Sequence, residues 1–183
     1  MIEVMRRLLR HPATWVVLSI AVIGLVIGLW LFQPWKLWTH SRVDEALPVA
    51  TATATQTPTT PPQPVVLAEG TFVNGEHDTS GTARILRLTD GTRVLRLENF
   101  STSDGPDVHV WLTDRRAGGP DGSFDDGRYV KLGKMKATDG NQNYPIPPDA
   151  QLNGLHSAVI WCDRFNVAFG SVPLNLSATA DAP

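Results

Sequence analysis

The chain has a single cysteine, Cys162, in 183 residues. This excludes an intramolecular disulfide and leaves stability to packing. It lacks the C-x-x-C-H signature of covalently attached haem and any cysteine cluster for iron–sulfur. A G-x-S-x-G elbow and an H-E-x-x-H helix are also missing, which removes the commonest hydrolytic signatures. Lysine and arginine are scattered and the formal net charge is −2, so no basic stripe exists to hold nucleic acid. From about Val65 to Leu176 no run has both the period and the length of a helix. The length allows one ordinary domain with appendages, and nothing marks a second core.

Against these absences stands one long apolar run. Ala13 to Phe32 carries no charge, and about 20 such residues span a bilayer core of roughly 30 Å as a helix. Arg6, Arg7 and Arg10 precede it, whereas Lys36 and Arg42 beyond it are offset by Asp44 and Glu45. The positive-inside bias then predicts a single-pass signal-anchor with residues 1–12 cytoplasmic and the C-terminal domain extracytoplasmic. Trp30, Phe32, Trp35 and Trp38 cluster at the exit, where amphipathic rings favour the headgroup layer. The competing reading is a cleaved signal peptide, whose apolar core is usually about 7–15 residues and ends in an A-x-A-like site.

Residues 33–64 read as an interfacial segment and linker. Leu47 to Pro64, LPVATATATQTPTTPPQP, is too poor in large apolar side chains to bury anything. As an extended stalk at about 3.1 Å per residue, it is expected to hold the following domain roughly 50 Å from the membrane.

Residues 65–176 alternate short β-branched and aromatic runs with Gly, Asp, Asn and Pro clusters. Arg84 to Leu97 reads as a hairpin about Asp90-Gly91. Further strands are expected at Gly70–Val73, Val108–Leu112, Tyr129–Leu132, Asn143–Ile146, Ser157–Cys162 and Phe165–Phe169. About 7–8 short strands predict an all-β domain, an antiparallel sandwich or barrel. Val108, Val110 and Leu112 alternate with His109 and Trp111, as do Phe165, Val167 and Phe169 with Asn166 and Ala168. Ala158 to Trp161 is apolar throughout and predicts a central strand covered on both faces.

The loop Asp114–Gly127, DRRAGGPDGSFDDG, brings Asp121, Asp125 and Asp126 together among glycines. The carboxylates have the chemistry for calcium. Arg115 and Arg116 oppose a dense anionic site, so a solvated turn is the expectation and no metal is assigned.

Five segments occur in one order: LENF at Leu97–Phe100, GPD at Gly105–Asp107, KLGKMK at Lys131–Lys136, NYPIP at Asn143–Pro147 and VIWCDRF at Val159–Phe165. Together they resemble the DM-thirteen domain family, described as an electron-transfer domain, over nearly all of Gly70 to Leu174. The resemblance implies an all-β extracellular domain with a redox role centred on Cys162, as a naked thiol or as ligand to a prosthetic group such as haem, and hence a redox partner protein. It carries over Asn99, Phe100, Gly105, Pro106, Asp107, Gly133, Tyr144, Pro147, Trp161 and Phe165 as framework.

Cys162 itself sits at a predicted strand end beside a short turn, within reach of solvent on that reading. Arg164 would stabilise a thiolate and Asp163 oppose it. The competing reading is a packed thiol, since free cysteine is among the most buried residue types. If Cys162 instead holds haem or a metal as thiolate, His109 is the candidate second ligand. His156 is excluded from joint ligation with Cys162, because six strand positions span about 20 Å. Two further readings remain open at this stage: a non-catalytic binding or adhesion module, and a dimer joined through Cys162.

Overall fold

The computed structural model describes residues 12–48, 63–120, 122–174 and 176. The chain divides after Trp35 into a helical unit and a β unit. In the first, Pro12–Phe32 forms one α-helix, α1, of 21 residues with no buried side chain. Proline at its first position suits a helix start, since the missing N–H has no intrahelical partner there. Near the N-terminus and apolar all round, α1 meets the requirements of a membrane span or of a signal sequence.

The β unit is a sandwich of two five-stranded sheets and not a closed barrel. Sheet I contains β1 (Arg42–Asp44), β8 (Asp139–Ile146), β5 (Arg93–Ser101), β4 (Ser80–Arg87) and β2 (Val65–Thr71), in that order. Sheet II contains β3 (Val73–Asn74), β10 (Val167–Pro173), β9 (Ser157–Cys162), β6 (Val108–Thr113) and β7 (Tyr129–Lys134). The expected hairpin is β4–β5: Gly91 takes φ +82° and Asp90 Oδ1 accepts from Thr92 N at 2.9 Å. Between the sheets lies the main core, which includes Ile85, Leu95, Leu97, Phe100, Val110, Leu112, Ile160, Cys162 and Phe169. β9 is central and buried at every position, as its unbroken apolar run predicts.

Three expectations are corrected. First, the sandwich is not wholly antiparallel, because β1 pairs with β8 in parallel. Second, β10 begins at Val167 and not at Phe165. Residues 163–166 form the turn, closed by Asn166 N donating to Cys162 O at 2.9 Å with Asn166 at φ +55°. Phe165 therefore leaves the strand alternation and is 43% exposed.

Third, the Thr/Pro segment is not a stalk ahead of the domain. The chain enters the β unit well before it: Lys36 Nζ donates to Gly105 O at 2.9 Å and to Asp104 Oδ1 at 3.3 Å, and Thr39 Oγ1 to Asp104 Oδ2 at 2.9 Å. β1 follows, and Glu45 receives Lys136 Nζ at 2.7 Å and Asn143 N at 2.6 Å. Burial pushes the Glu45 carboxyl up, but the bonds from Lys136 and Asn143 outweigh it and hold it below the usual range. Residues 49–62 thus connect β1 to β2 inside one domain; they lie outside the described residues.

Gly140 makes this docking possible. It sits at φ +104°, and a Cβ there would meet Val43 O at 2.0 Å. Gly140→Ala should therefore expel β1 and cost about 1–3 kcal/mol through the disfavoured φ alone. A thermal melt should show the loss, with faster amide exchange at residues 42–45. Unchanged exchange there would contradict the role given to this glycine.

Candidate functional site

The register of sheet II decides what surrounds Cys162. In an antiparallel pair, directly opposed residues share a face. Cys162 opposes Val108 and Val167, and its side chain joins the core between the sheets. Trp161 opposes His109 and Ala168 and lies on the outer face. The thiol is fully buried, so the expected strand-end access to solvent is corrected. The physical reason is that the interior side of β9 is covered by sheet I, and the turn after it folds back at Asn166.

The same register separates Cys162 from His109, which were paired as prospective ligands. They project from opposite faces of β6–β9 and do not ligate one group. Haem held through Cys162 has no second ligand from His109, and the sulfur is enclosed by apolar side chains of the core. His156 is exposed and outside the strand.

His109 belongs instead to a charged cluster at the edge of the outer face. Its Nε2 lies 3.0 Å from Asp107 Oδ1 and 3.7 Å from Asp163 Oδ2. The ligating atoms of these residues fall within 4.8 Å of one another. Lys134 sits 3.2 Å from Asp107 and Lys131 3.2 Å from Asp163, so each carboxylate already has an ammonium partner that competes with a metal cation. Burial pushes Asp107 up, but hydrogen bonds from His109 and Lys134 more than compensate and keep its carboxyl below the usual range.

The outer face of sheet II carries a second hydrophobic cluster of Trp111, Phe124, Val159, Trp161 and Ala168. Trp111 and Trp161 have centroids 5.2 Å apart, and Tyr129 stacks on Trp111 at 4.5 Å with planes 14° apart. Lys131 Nζ lies 4.5 Å from the Trp111 centroid, a cation–π contact. Phe124 meets Trp161 edge-on at 6.4 Å.

Phe124 comes from the loop after β6, which corrects the expectation of a solvated turn there. Outward-facing hydroxyls tether this loop. Thr113 Oγ1 donates to Phe124 O at 3.1 Å, Ser157 Oγ to Arg115 O at 2.6 Å, and Ser171 Oγ accepts from Gly118 N at 2.9 Å. Asp125 and Asp126 remain at the surface, and Asp121 lies outside the described residues. Asp114 Oδ2 accepts from Arg128 N at 3.0 Å, closing the loop's base.

The framework residues chiefly keep the fold. Phe100 is buried against Phe72 at 5.3 Å. Asn99, at φ +48°, lies where β5 shifts register against β8 and donates its N–H to Asn141 Oδ1 at 3.0 Å. A Cβ on Gly105 would meet Val108 at 2.7 Å and Phe169 at 2.8 Å. Pro106 follows, half-buried, and Gly133 lies where β7 shifts register against β6. The buried Tyr144 hydroxyl donates to Gln142 Oε1 at 2.6 Å and accepts from Lys136 N at 3.0 Å; burial pushes its pKa up to about 12. Pro147 is exposed, and its carbonyl accepts from Arg93 Nη2 at 3.3 Å.

Sequence reasoning missed one more pair. Ser103 Oγ lies 2.7 Å from His77 Nδ1, in a cleft also lined by His40, Glu76, Asp78, Ser101 and Thr102. The His77 ring packs on Phe169 at 3.9 Å. Burial pushes its pKa down against the pull of Glu76 and Asp78, favouring the neutral imidazole. A hydroxyl on a neutral imidazole is only the first requirement of acyl transfer, which also needs donors aimed at the developing oxyanion. No spacing motif joins His77 to Ser103, so only the fold reveals the pair.

Comparison with family models finds a match over residues 71–174, more than half of the chain, to the model described as Electron transfer DM13. Comparisons with curated proteins and with solved structures find no match.

Since Phe124 seals Trp161 from water, Phe124→Ala should cost about 3–5 kcal/mol. It should also shift tryptophan emission to the red in the native state. Emission identical to wild type would mean that the loop does not cover the indole.

Proposed function

The chain belongs to the electron-transfer DM13 family, and on that premise we propose that its β domain carries electrons at the outer surface of a membrane, anchored by α1, with Cys162 as its redox-active side chain. The anchor reading is supported by an uncharged helix of 21 residues, about 30 Å at 1.5 Å per residue. Arginines precede it, which favours a cytoplasmic N-terminus.

The observation that carries the assignment to Cys162 is its position: the chain's one thiol lies in the central, wholly buried strand of the matched domain, next to Trp161. Full burial limits the chemistry. Thiol–disulfide exchange needs a partner thiolate to reach the sulfur directly, and in the native fold it cannot. The same burial disfavours a dimer joined through Cys162. On this reading sulfur exchanges electrons with its partner protein and not atoms. A second reading, a packed cysteine in a binding module, is favoured by the place of Cys162 in the hydrophobic core between the sheets.

Two measurements test the proposal. Voltammetry of the full-length protein in a lipid film should give an oxidation wave at lower potential than the aromatic residues, removed in Cys162→Ala. A variant with an unchanged wave would assign Cys162 to packing. For orientation, protease added outside intact cells should remove a C-terminal epitope; full protection would overturn the extracytoplasmic placement.

A further inference from the structure

A fully buried redox strand raises the question of how an electron crosses to the surface. The outer face of sheet II provides a continuous line of side chains that accept and give single electrons. Indole and phenol rings are the most readily oxidised aromatic side chains, and close ring contact favours electron exchange between them. Trp161, the neighbour of Cys162 on β9, is 1% exposed and contacts Trp111, itself 2% exposed, at 5.2 Å. Trp111 stacks on Tyr129 at 4.5 Å, and Tyr129 is 40% exposed. The line runs across β9, β6 and β7 and ends in solvent.

Other features bear on the same column. Phe124, a ring much harder to oxidise, closes the Trp161 end and leaves Tyr129 as the exposed terminus. Trp111 Nε1 is buried with no hydrogen-bond partner among the described residues. An oxidised Trp111 therefore has no neighbour to take its proton, and its charge is returned to an adjacent ring. Lys131 Nζ, 4.5 Å from the Trp111 centroid, opposes positive charge on that ring, while Asp163 at 3.2 Å partly offsets the ammonium.

We propose that Trp161, Trp111 and Tyr129 form an electron conduit from the buried strand β9 to a one-electron acceptor docking at Tyr129. It rests on the electron-transfer reading above, but not on Cys162 being the donor. In the first step the Tyr129 phenol gives one electron to the acceptor and its proton to water. The phenoxyl then takes an electron from Trp111 and a proton from water, leaving a Trp111 radical cation. That cation takes an electron from Trp161 and is restored. The acceptor is reduced by one electron, and the hole rests on Trp161.

The test uses full-length protein in nanodiscs with photogenerated tris(bipyridine)ruthenium(III) as acceptor, followed by residue-resolved mass spectrometry. Trp38, 76% exposed, serves as the internal control that the oxidant has acted. The expected result is oxidation of Trp111 and Trp161 despite their burial, falling to the unirradiated background in Tyr129→Phe, which keeps the stack. Lys131→Gln should raise oxidation at Trp111. If Trp38 alone is oxidised in wild type, or if Trp161 is oxidised equally in Tyr129→Phe, the conduit is overturned. Tyr129-dependent oxidation of Trp161 with Cys162 untouched supports the conduit and removes Cys162 as donor. Oxidation of Cys162 that is the same in wild type and Tyr129→Phe overturns the conduit and keeps Cys162.

Discussion

Burial of β9 on both faces is the constraint on which the rest of the β unit depends. A strand of one β-sandwich sheet ordinarily gives one face to the core and one to water. Here sheet I covers the inner side of Ser157–Cys162, and the loop after β6 covers the outer side through Phe124. The hydroxyls of Thr113, Ser157 and Ser171 therefore face a loop backbone and bond its polar groups, the carbonyls of Phe124 and Arg115 and the N–H of Gly118. Two separate environments result within one strand: the inter-sheet core for Cys162 and the outer aromatic cluster for Trp161.

Much of the sandwich was legible in local pattern. The Asp90-Gly91 turn needs positive φ, and its flanking runs identify the β4–β5 hairpin. The unbroken apolar run Ala158–Trp161 announces a central strand. β1 was not legible, because Arg42–Asp44 is short and polar and gains its place from partners far along the chain, Gly140 and Lys136 among them. The period in Phe165–Phe169 also misled: Asn166 adopts a left-handed conformation that closes a turn, and this overrides the alternation.

For the site, identity was readable but mutual placement was not. Cys162 and His109 stand out by residue type, yet which face each occupies is a matter of register, a property of pairing that no single segment holds. Trp111 looked like the solvent side of an alternating strand and proved to be buried, because a loop rich in Gly and Asp hides one phenylalanine. A composition-based reading of that loop weighs its many turn residues and overlooks Phe124, whose single ring changes the character of the whole face.

The placement of the Thr/Pro segment between β1 and β2 alters what a cut in it does. On a stalk, one cleavage sheds a domain from its anchor. Here, a nick anywhere in residues 49–62 leaves residues 36–48 bound to the body of the domain by the β1–β8 ladder and the Glu45–Lys136 pair. Release becomes a dissociation equilibrium of a short peptide strand and no longer a single covalent event. The insert's length is also nearly free to vary, since doubling a closed loop costs only about 0.6 kcal/mol.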